Sequence, residues 1–402
     1  MADLKIFTEN IEQKALSQIY NLIKQPAFSE CKVRIMPDVH AGSGCVIGFT
    51  ADLGEKVIPN IVGVDIGCGM LTTNLGKIDI DFARLDNVIR EYVPSGRSVH
   101  KEESLSIASD IIEKMYCKEK LNNIDWLKRS CGTLGGGNHF IEVDIDSKDN
   151  KYLVIHSGSR NVGKQVAEIY QQMAIDDISG KSNFKQDSEK LIAEYKKNGR
   201  EREINNAIKE LKQSYEKRET KIPRELSYLV GEHREMYLHD MKLCQDFAEI
   251  NRRAIQSVIC YYMSWEVTKE TERFQTIHNY IEHESNIVRK GAISAKAGEK
   301  LLIPINMRDG CILGIGKGNE DWNYSAPHGA GRIMSRSKAK EIVSLEEYKK
   351  SMNGIFTTSV NTSTIDESPM AYKSINEIME NIKDTVEVVD IIKPIYNFKA
   401  SE

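Results

Sequence analysis

The sequence predicts an α+β fold: a single domain with mixed β-sheets and one charged helical insertion. Three observations point to it. Helical periodicity and strand character are interspersed from one end of the 402 residues to the other. No internal repeat, low-complexity tract or long Gly/Ser/Pro linker divides the chain. The residues with chemical potential are spread from Asp65 to His328, so they share a site only if the whole chain folds around it. Length by itself permits two or three domains of about 100 to 200 residues, but a single unit over residues 1–402 is the simpler expectation.

The elements follow in order. "NIEQKALSQIYNLIKQP" sets Ile11, Leu16, Ile19, Leu22 and Ile23 at helical spacing, and Pro26 stops the helix. "CKVRIMP" and "GCVIGFTA" read as strands, "EYVPSGRS" as a turn and "SLSIASDIIEKMY" as an amphipathic helix. "KYLVIHSGSR" reads as a buried strand entering a Gly/Ser turn. "KQVAEIYQQMAI" then continues as a helix whose N-terminus faces that turn, an arrangement that favours anions. Over residues 181–221 the composition shifts to Lys, Glu, Asn and Gln with few large apolar side chains, which predicts an exposed helical hairpin inserted into the domain. A long helix is expected over residues 225–264, ahead of "TIHNYIEHE". "EKLLIPINMRDGCILGIG" returns to strand character, "AYKSINEIMENI" is a helix and "VEVVDIIKPIYNF" a closing strand.

Composition narrows the class. With 40% hydrophobic and 28% charged residues the chain is a soluble globular protein. The absence of an apolar run of about 18 residues and of a leader-like N-terminus makes a cytoplasmic location the default expectation. The 8 cysteines are scattered with no CxxC, against a disulfide framework or a zinc knuckle. A net charge of -4 lacks the basic excess that a phosphate backbone usually meets, so any nucleic-acid site has to be local.

Several clusters carry chemistry. In "VGVDIGCGM", glycines let the backbone bend so that Asp65 and Cys68 can point inward together. A carboxylate and a thiolate suit a borderline metal such as zinc or manganese, and a thiolate can bridge two ions. A glycine turn around a buried cysteine is the plain alternative. "GTLGGGNHFIEV" sets three glycines before Asn138 and His139, then a strand with Glu142; such runs serve close approach to a ligand, often phosphate. His156 lies where an apolar strand meets a loop, and "HNYIEHE" offers His278 as a ligand, with His283 left to the surface or core. His100, His233 and His239 read as ordinary residues in polar, helical contexts, and His40 in "PDVHAGSG" is intermediate. Lys317, Asn319 and Arg332 surround a last Gly-rich track that is neither a P-loop nor a GxGxxG. Together these residues suggest metal-assisted phosphoryl or nucleotidyl transfer.

In order along essentially the whole chain, "PDVHAG", "VGVDIGCGM", "GTLGGGNHFIEV", "VIHSGSR", "HNYIE", "RKGA" and "SAPHGAGR" resemble the motifs of the RtcB family of RNA-splicing ligases. The resemblance implies a central metal/nucleotide cleft and a GTP- and manganese-dependent ligase of RNA repair or tRNA splicing. Such an enzyme joins RNA ending in a 2',3'-cyclic phosphate or 3'-phosphate to RNA with a 5'-hydroxyl. It implies that His328 attacks the GTP α-phosphate to give histidine-GMP, and that the guanylyl group then passes to the RNA 3'-phosphate. It implies two Mn2+ ions, replaceable for binding by Zn2+ or Co2+, held by Asp65, Cys68, His139, His156 and His278, with Cys68 bridging. The implied nucleotide contacts are Asn138, His139, Phe140, Ile141 and Glu142, then Asn279, then Pro304, Ile305, Asn306 and Met307. Cys311, Gly329, Ala330, Gly331, Tyr372 and Lys399 complete them, and bare backbone at 329 and 331 would let a nucleotide lie against His328.

The chain departs from the family pattern at "PINMRDGC", where many relatives carry Gly-Ser-Met after the proline and a serine a few residues on. Ile305, Asn306 and Cys311 stand there instead. Arg160 and Lys164 are candidate RNA-phosphate contacts or a solvated helix start. The nearest rival reading is a metal-dependent phosphodiesterase that opens cyclic phosphates without joining ends. A catalytically silent RNA-binding platform and a cysteine hydrolase built on Cys68 are further alternatives.

Overall fold

The computed structural model describes residues 2–216 and 222–400. The chain opens with β1 (Asp3–Ile6) and α1 (Gln13–Ile23), whose inward stripe of Ala15, Ile19 and Leu22 is spaced three to four apart. β2 (Lys32–His40), β3 (Ile47–Asp52), α2 (Pro59–Val62) and β4 (Gly69–Gly76) come next, then α3 (Phe82–Tyr92), α4 (Ser106–Glu113) and α5 (Ile124–Arg129). The hairpin of β5 (Phe140–Ile145) and β6 (Lys151–Ser157) leads into four helices. These are α6 (Arg160–Ile178), α7 (Lys181–Lys197), α8 (Ile204–Glu216) and α9 (Gly231–Met263). A run of strands follows: β7 (Arg273–Ile277), β8 (Asn279–Ile281), β9 (Ile287–Lys290), β10 (Ala292–Ser294), β11 (Lys300–Asn306), β12 (Gly310–Gly316) and β13 (Ser325–Pro327). The C-terminal part holds α10 (Arg336–Ile342), α11 (Leu345–Ser351), β14 (Phe356–Thr357), α12 (Ile375–Asn381) and β15 (Val386–Lys399).

The strands build a five-stranded sheet in the order β1-β2-β3-β9-β8 and a larger one in the order β11-β12-β15-β5-β6-β4-β7, with β14 pairing off β15. The small ladder β10-β13 joins them. The chain changes sheets at His278: β7 ends at Ile277 paired with β4, and β8 starts at Asn279 paired with β9. On the large sheet, alternation sends Ile141, Val143, Leu153 and Ile155 to one face, against Leu85 and Ile89 of α3 and Ile255 and Ile259 of α9. Met70, Tyr152, Val154, Cys311 and Ile392 occupy the other face. The Leu302 N–H of β11 donates to Thr276 Oγ1 of β7 at 3.2 Å, so the end strands meet and the inner face curls into a bowl. A further core lies between the five-stranded sheet and α1, α2, α6 and the first half of α9, and another packs β10 to β13 against α12 through Ile293, Ile303, Ile312 and Ile378.

The long helix begins at Gly231, six residues later than the expectation from residue 225, because Pro223 and a short 3-10 turn at Arg224–Leu226 precede it. Glu91 and Tyr92 finish α3 instead of belonging to a turn. β4 was hidden because its Thr72, Thr73 and Asn74 interrupt the apolar signal, although Thr72 and Thr73 are buried. His100 lies in an irregular stretch, not a helix, with Nε2 3.1 Å from the Gly132 carbonyl. In the predicted insertion α7 and α8 pair, with Phe184 edge-on to Tyr215 and the Tyr215 hydroxyl donating to Asp187 at 2.5 Å. Its last five residues, 217–221, lie outside the described residues. Among the described residues no helix is long and apolar enough to cross a membrane.

Candidate active site

Two triads of possible ligands share Cys68: Cys68 with His156 and His278, and Cys68 with Asp65 and His139. The Cys68 sulfur lies 3.4 Å from His139 Nε2 and 3.3 Å from His156 Nε2, and His156 Nε2 lies 3.2 Å from His278 Nε2. Asp65 Oδ2 is 3.9 Å from His139 Nε2. Tautomers follow from the partners. His139 Nδ1 faces the Leu134 carbonyl at 2.8 Å and His156 Nδ1 faces the Asn138 carbonyl at 3.2 Å. A carbonyl only accepts, so each Nδ1 carries the proton and each Nε2 turns a bare lone pair inward. Burial first, and then the cationic Arg160, holds His139 down to about 3. Burial together with neighbouring imidazoles holds His156 and His278 well below their ordinary range. Lone pairs gathered this closely repel unless a cation sits among them, and the spacings match those spanned by nitrogen and sulfur donors at roughly 2.0 to 2.3 Å from a tetrahedral ion. The residues therefore fit divalent metal, with Cys68 common to both groups of donors.

Helix α9 holds the ligand loops together. Asn251 Oδ1 accepts from the Gly132 and Thr133 N–H groups at 2.8 and 3.0 Å, and its Nδ2 donates to Ser157 Oγ at 2.9 Å. The buried Arg252 donates from Nη1 to the Gly67 and Ser157 carbonyls at 2.9 and 2.8 Å. One turn of helix thus ties the loop before His139, the end of the His156 strand and the Asp65–Cys68 bend. Gly67 has φ of +70°, and a Cβ there would lie 2.9 Å from the Gln245 Cα of α9, so glycine alone suits the bend. Asn279 joins the opposite side: Nδ2 donates to the Asp65 carbonyl at 3.2 Å, and Oδ1 accepts from the Gly291 N–H at 3.0 Å.

His328 follows β13 and faces this cluster, its ring centroid 4.9 Å from that of His278. Fully buried Asp38 of β2 accepts from His328 Nδ1 at 2.6 Å and from the His328 backbone N–H at 3.1 Å. With Nδ1 protonated toward a carboxylate, Nε2 keeps its lone pair, which is the form a nucleophile needs. Gly331, at φ of +72°, packs its backbone on Asp38; a Cβ there would lie 2.4 Å from the Asp38 carbonyl oxygen. This packing seats Asp38, and Gly331 also lines the cavity beside His328.

A cavity of about 210 Å³ opens between His328, His156, Glu142, Met307, Tyr372 and Lys399. On its wall, the Lys399 ammonium meets buried Glu367 at 2.5 Å, and the Tyr372 hydroxyl donates to Glu367 at 2.7 Å. Burial pushes the Glu367 carboxyl up, but Lys399 and Arg336 outweigh it and hold the group at about 2. Arg332 lies over the Tyr372 ring at 5.0 Å and donates to its hydroxyl at 3.1 Å. Lys399, Arg332 and Arg336 gather around this carboxylate, and Arg336 also pairs with buried Asp366 at 3.0 Å.

A family model described as tRNA-splicing ligase RtcB matches residues 18–400. The chain belongs to the RtcB family. It is 31% identical to the RNA-splicing ligase RtcB1 of Escherichia coli strain ATCC 25922, over 98% of this chain and 96% of that protein. The RNA-splicing ligase RtcB of Escherichia coli K12 is 30% identical over the same shares. The tRNA-splicing ligase RtcB of Nanoarchaeum equitans is 27% identical over 93% of this chain and 89% of its own length.

Of the nucleotide contacts that membership in the RtcB family suggests, Asn138, Phe140, Glu142, Pro304, Ile305, Asn306, Met307, Gly329, Ala330, Gly331, Tyr372 and Lys399 all line the cavity. Ile141 does not, because strand parity turns it into the opposite core. Asn279 braces the Asp65–Cys68 bend, and Cys311 stands behind Glu142, 3.9 Å from its Oε1. Arg160 is drawn inside, its Nε donating to Thr133 Oγ1 at 3.2 Å, whereas Lys164 pairs with Glu168 on the surface. Of the last Gly-rich track, Arg332 reaches the cavity, while Lys317 bonds the Lys383 carbonyl and Asn319 caps a 3-10 turn. His233 Nδ1 lies 2.7 Å from Asp177 Oδ2, and His239 Nδ1 lies 3.0 Å from Asp240 Oδ1.

Sequence reasoning missed Asp38, Asn251, Arg252, Glu367 and Asn397, and left His40, which lines the cavity, undecided. One signal was available. Asn251 and Arg252 sit within the inward stripe of α9 among Cys244, Phe247, Ala248, Ile255 and Ile259, where polar residues need a partner.

Proposed function

We propose that this RNA ligase binds GTP in the cavity beside a divalent metal pair, manganese in our reading. It joins RNA ends carrying a 3'-phosphate or 2',3'-cyclic phosphate to 5'-hydroxyl ends. The observation that carries the proposal is the Asp38–His328 pair at 2.6 Å, set beside the imidazole cluster at the edge of the cavity. His328 Nε2 attacks the α-phosphorus of GTP; a P–N bond forms, the α–β phosphoanhydride breaks, and pyrophosphate leaves. Asp38 holds the ring and stabilises the positive charge that develops on it. An oxygen of the RNA 3'-phosphate then takes the guanylyl group, breaking the P–N bond. The 5'-hydroxyl of the second RNA attacks that 3'-phosphate, its proton is lost, and GMP leaves. A cyclic phosphate is first opened by water to the 3'-phosphate. When bound, the ion pair on Asp65, Cys68, His139, His156 and His278 neutralises phosphate charge and activates the attacking and leaving oxygens. Cationic Lys399, Arg332 and Arg336 support nucleotide binding at the opposite wall, and Glu142 offers an acceptor to a nucleobase.

The test is ligation of defined oligonucleotides, one ending in a 3'-phosphate or, in a parallel reaction, a 2',3'-cyclic phosphate, and one beginning with a 5'-hydroxyl, with GTP and Mn2+ each omitted in turn. Joined product that needs both supports the proposal. Opening of a 2',3'-cyclic phosphate with no joining under any condition would establish the phosphodiesterase instead.

A further inference from the structure

A second buried cluster lies under the nucleotide cavity, inside the curl of the large sheet. Glu142 and Asp144 are alternate residues of β5 and face the same way. Cys311 reaches them from β12, and one oxygen of each carboxyl and the thiol sulfur all lie within 4.8 Å of one another. Asp144 is fully buried, and neither of its carboxyl oxygens has a hydrogen-bond donor among the described residues. Glu142 is better served: Asn397 Nδ2 donates to Oε2 at 2.5 Å and the Cys311 thiol approaches Oε1 at 3.9 Å.

The charges around the pair do not balance two anions. From β12 the facing group is Cys311, whose thiol is kept neutral by burial and by the two carboxyls. From β15 they are Asn397 and Lys399, and Lys399 is committed to Glu367 at 2.5 Å. From β6, Tyr152 stands opposite Asp144 in register but gives its hydroxyl to Asp146 at 3.3 Å. A second buried negative charge without a partner is costly. A proton removes it and supplies the hydrogen bond that the Asp144 oxygens lack.

We propose that Asp144 is a positioning residue that carries a proton and donates it in a hydrogen bond to Glu142, fixing Glu142 as the single negative acceptor at the floor of the nucleotide cavity. The consequence for specificity rests on the guanylate reading above. An anchored carboxylate accepts from the N1–H and N2–H edge of guanine, whereas adenine presents an acceptor at N1 and is disfavoured. Burial, and then the charge of Glu142, keeps the Asp144 carboxyl well above the carboxylate range. A raised acid favours the folded state at low pH, and that contribution fades as pH rises through the folded value.

The experiment compares the full chain with Asp144→Asn, which can donate but cannot ionise, and Asp144→Leu, which can do neither. Thermal unfolding and binding of GTP and ATP are followed from about pH 6 to about pH 9, with metal content determined for each protein. Expected are a Tm difference that moves in favour of Asp144→Asn as pH rises, and a smaller loss of GTP affinity over that range than in the parent. Asp144→Leu should bind GTP about tenfold or more weakly while its affinity for ATP stays flat. Parallel Tm curves for the parent and Asp144→Asn would overturn the proposal, as would undiminished GTP binding by Asp144→Leu. Loss of one metal equivalent in Asp144→Asn would also overturn it, since the cluster would then hold a cation. If the Tm curves behave as expected but Glu142→Gln leaves the preference for GTP over ATP untouched, the proton on Asp144 stands and the guanylate reading of the floor falls.

Discussion

His328 presents its Nε2 because Asp38 occupies its Nδ1 at 2.6 Å, and Asp38 itself is buried under Gly331. Replacing Asp38 with Asn keeps the shape but lets the imidazole take the wrong tautomer. Asp38→Asn should slow formation of the guanylylated enzyme by about 10² or more, measured by single-turnover transfer from labelled GTP, with metal content unchanged. Cys68→Ala acts elsewhere: it removes the sulfur shared by both triads, and metal analysis should show loss of bound divalent ion. Residue chemistry singled out the ligand candidates in Gly-rich bends and at strand ends, but the separate task of His328 came only from the resemblance of "SAPHGAGR" to the family motif. Asp38 was not legible, since its meaning comes from a contact with a residue 290 positions away.

At the scale of elements, β5 shows how parity decides function. Phe140 and Glu142 face the cavity, and Ile141 between them faces α3 and α9. Ile141→Val should therefore cost about 0.5 to 1.5 kcal/mol of stability in denaturant unfolding and leave GTP affinity unchanged. The sequence run "NHFIEV" marked a strand beside a ligand, but only the pairing of β5 with β6 and β15 shows which side faces the cavity. Helix α9 acts through its polar pair. Arg252→Met leaves the Gly67 and Ser157 carbonyls without their donor, so it should destabilise the fold by about 2 to 4 kcal/mol and weaken metal binding without touching a ligand. At the end of β15, Lys399 and its neighbours hold Glu367 at about 2 against a usual 4.5. A lowered acid stabilises the fold above its unfolded value, and the contribution is lost as pH falls from about 4.5 toward 2. It amounts to on the order of 3 kcal/mol. The penalty of Glu367→Gln should accordingly be largest near neutrality and shrink on acidification, read from urea unfolding across that range.

At the scale of the molecule, the site exists because the chain passes between sheets at His278 and brings β2, β4, β6, β7 and the β13 loop to one cleft. The spread of candidate ligands made a single enclosing fold legible before any element was placed. The curl of the large sheet was not legible, because it depends on β11 meeting β7, where the Leu302 N–H donates to Thr276 Oγ1, and on long-range register. The central claim is that this cleft charges His328 with GMP. Intact mass spectrometry of the protein after incubation with GTP and Mn2+ tests it most directly. The account predicts a gain equal to one GMP, absent in His328→Ala and absent without metal; an unchanged mass in the parent protein, with metal shown to be bound, would contradict it.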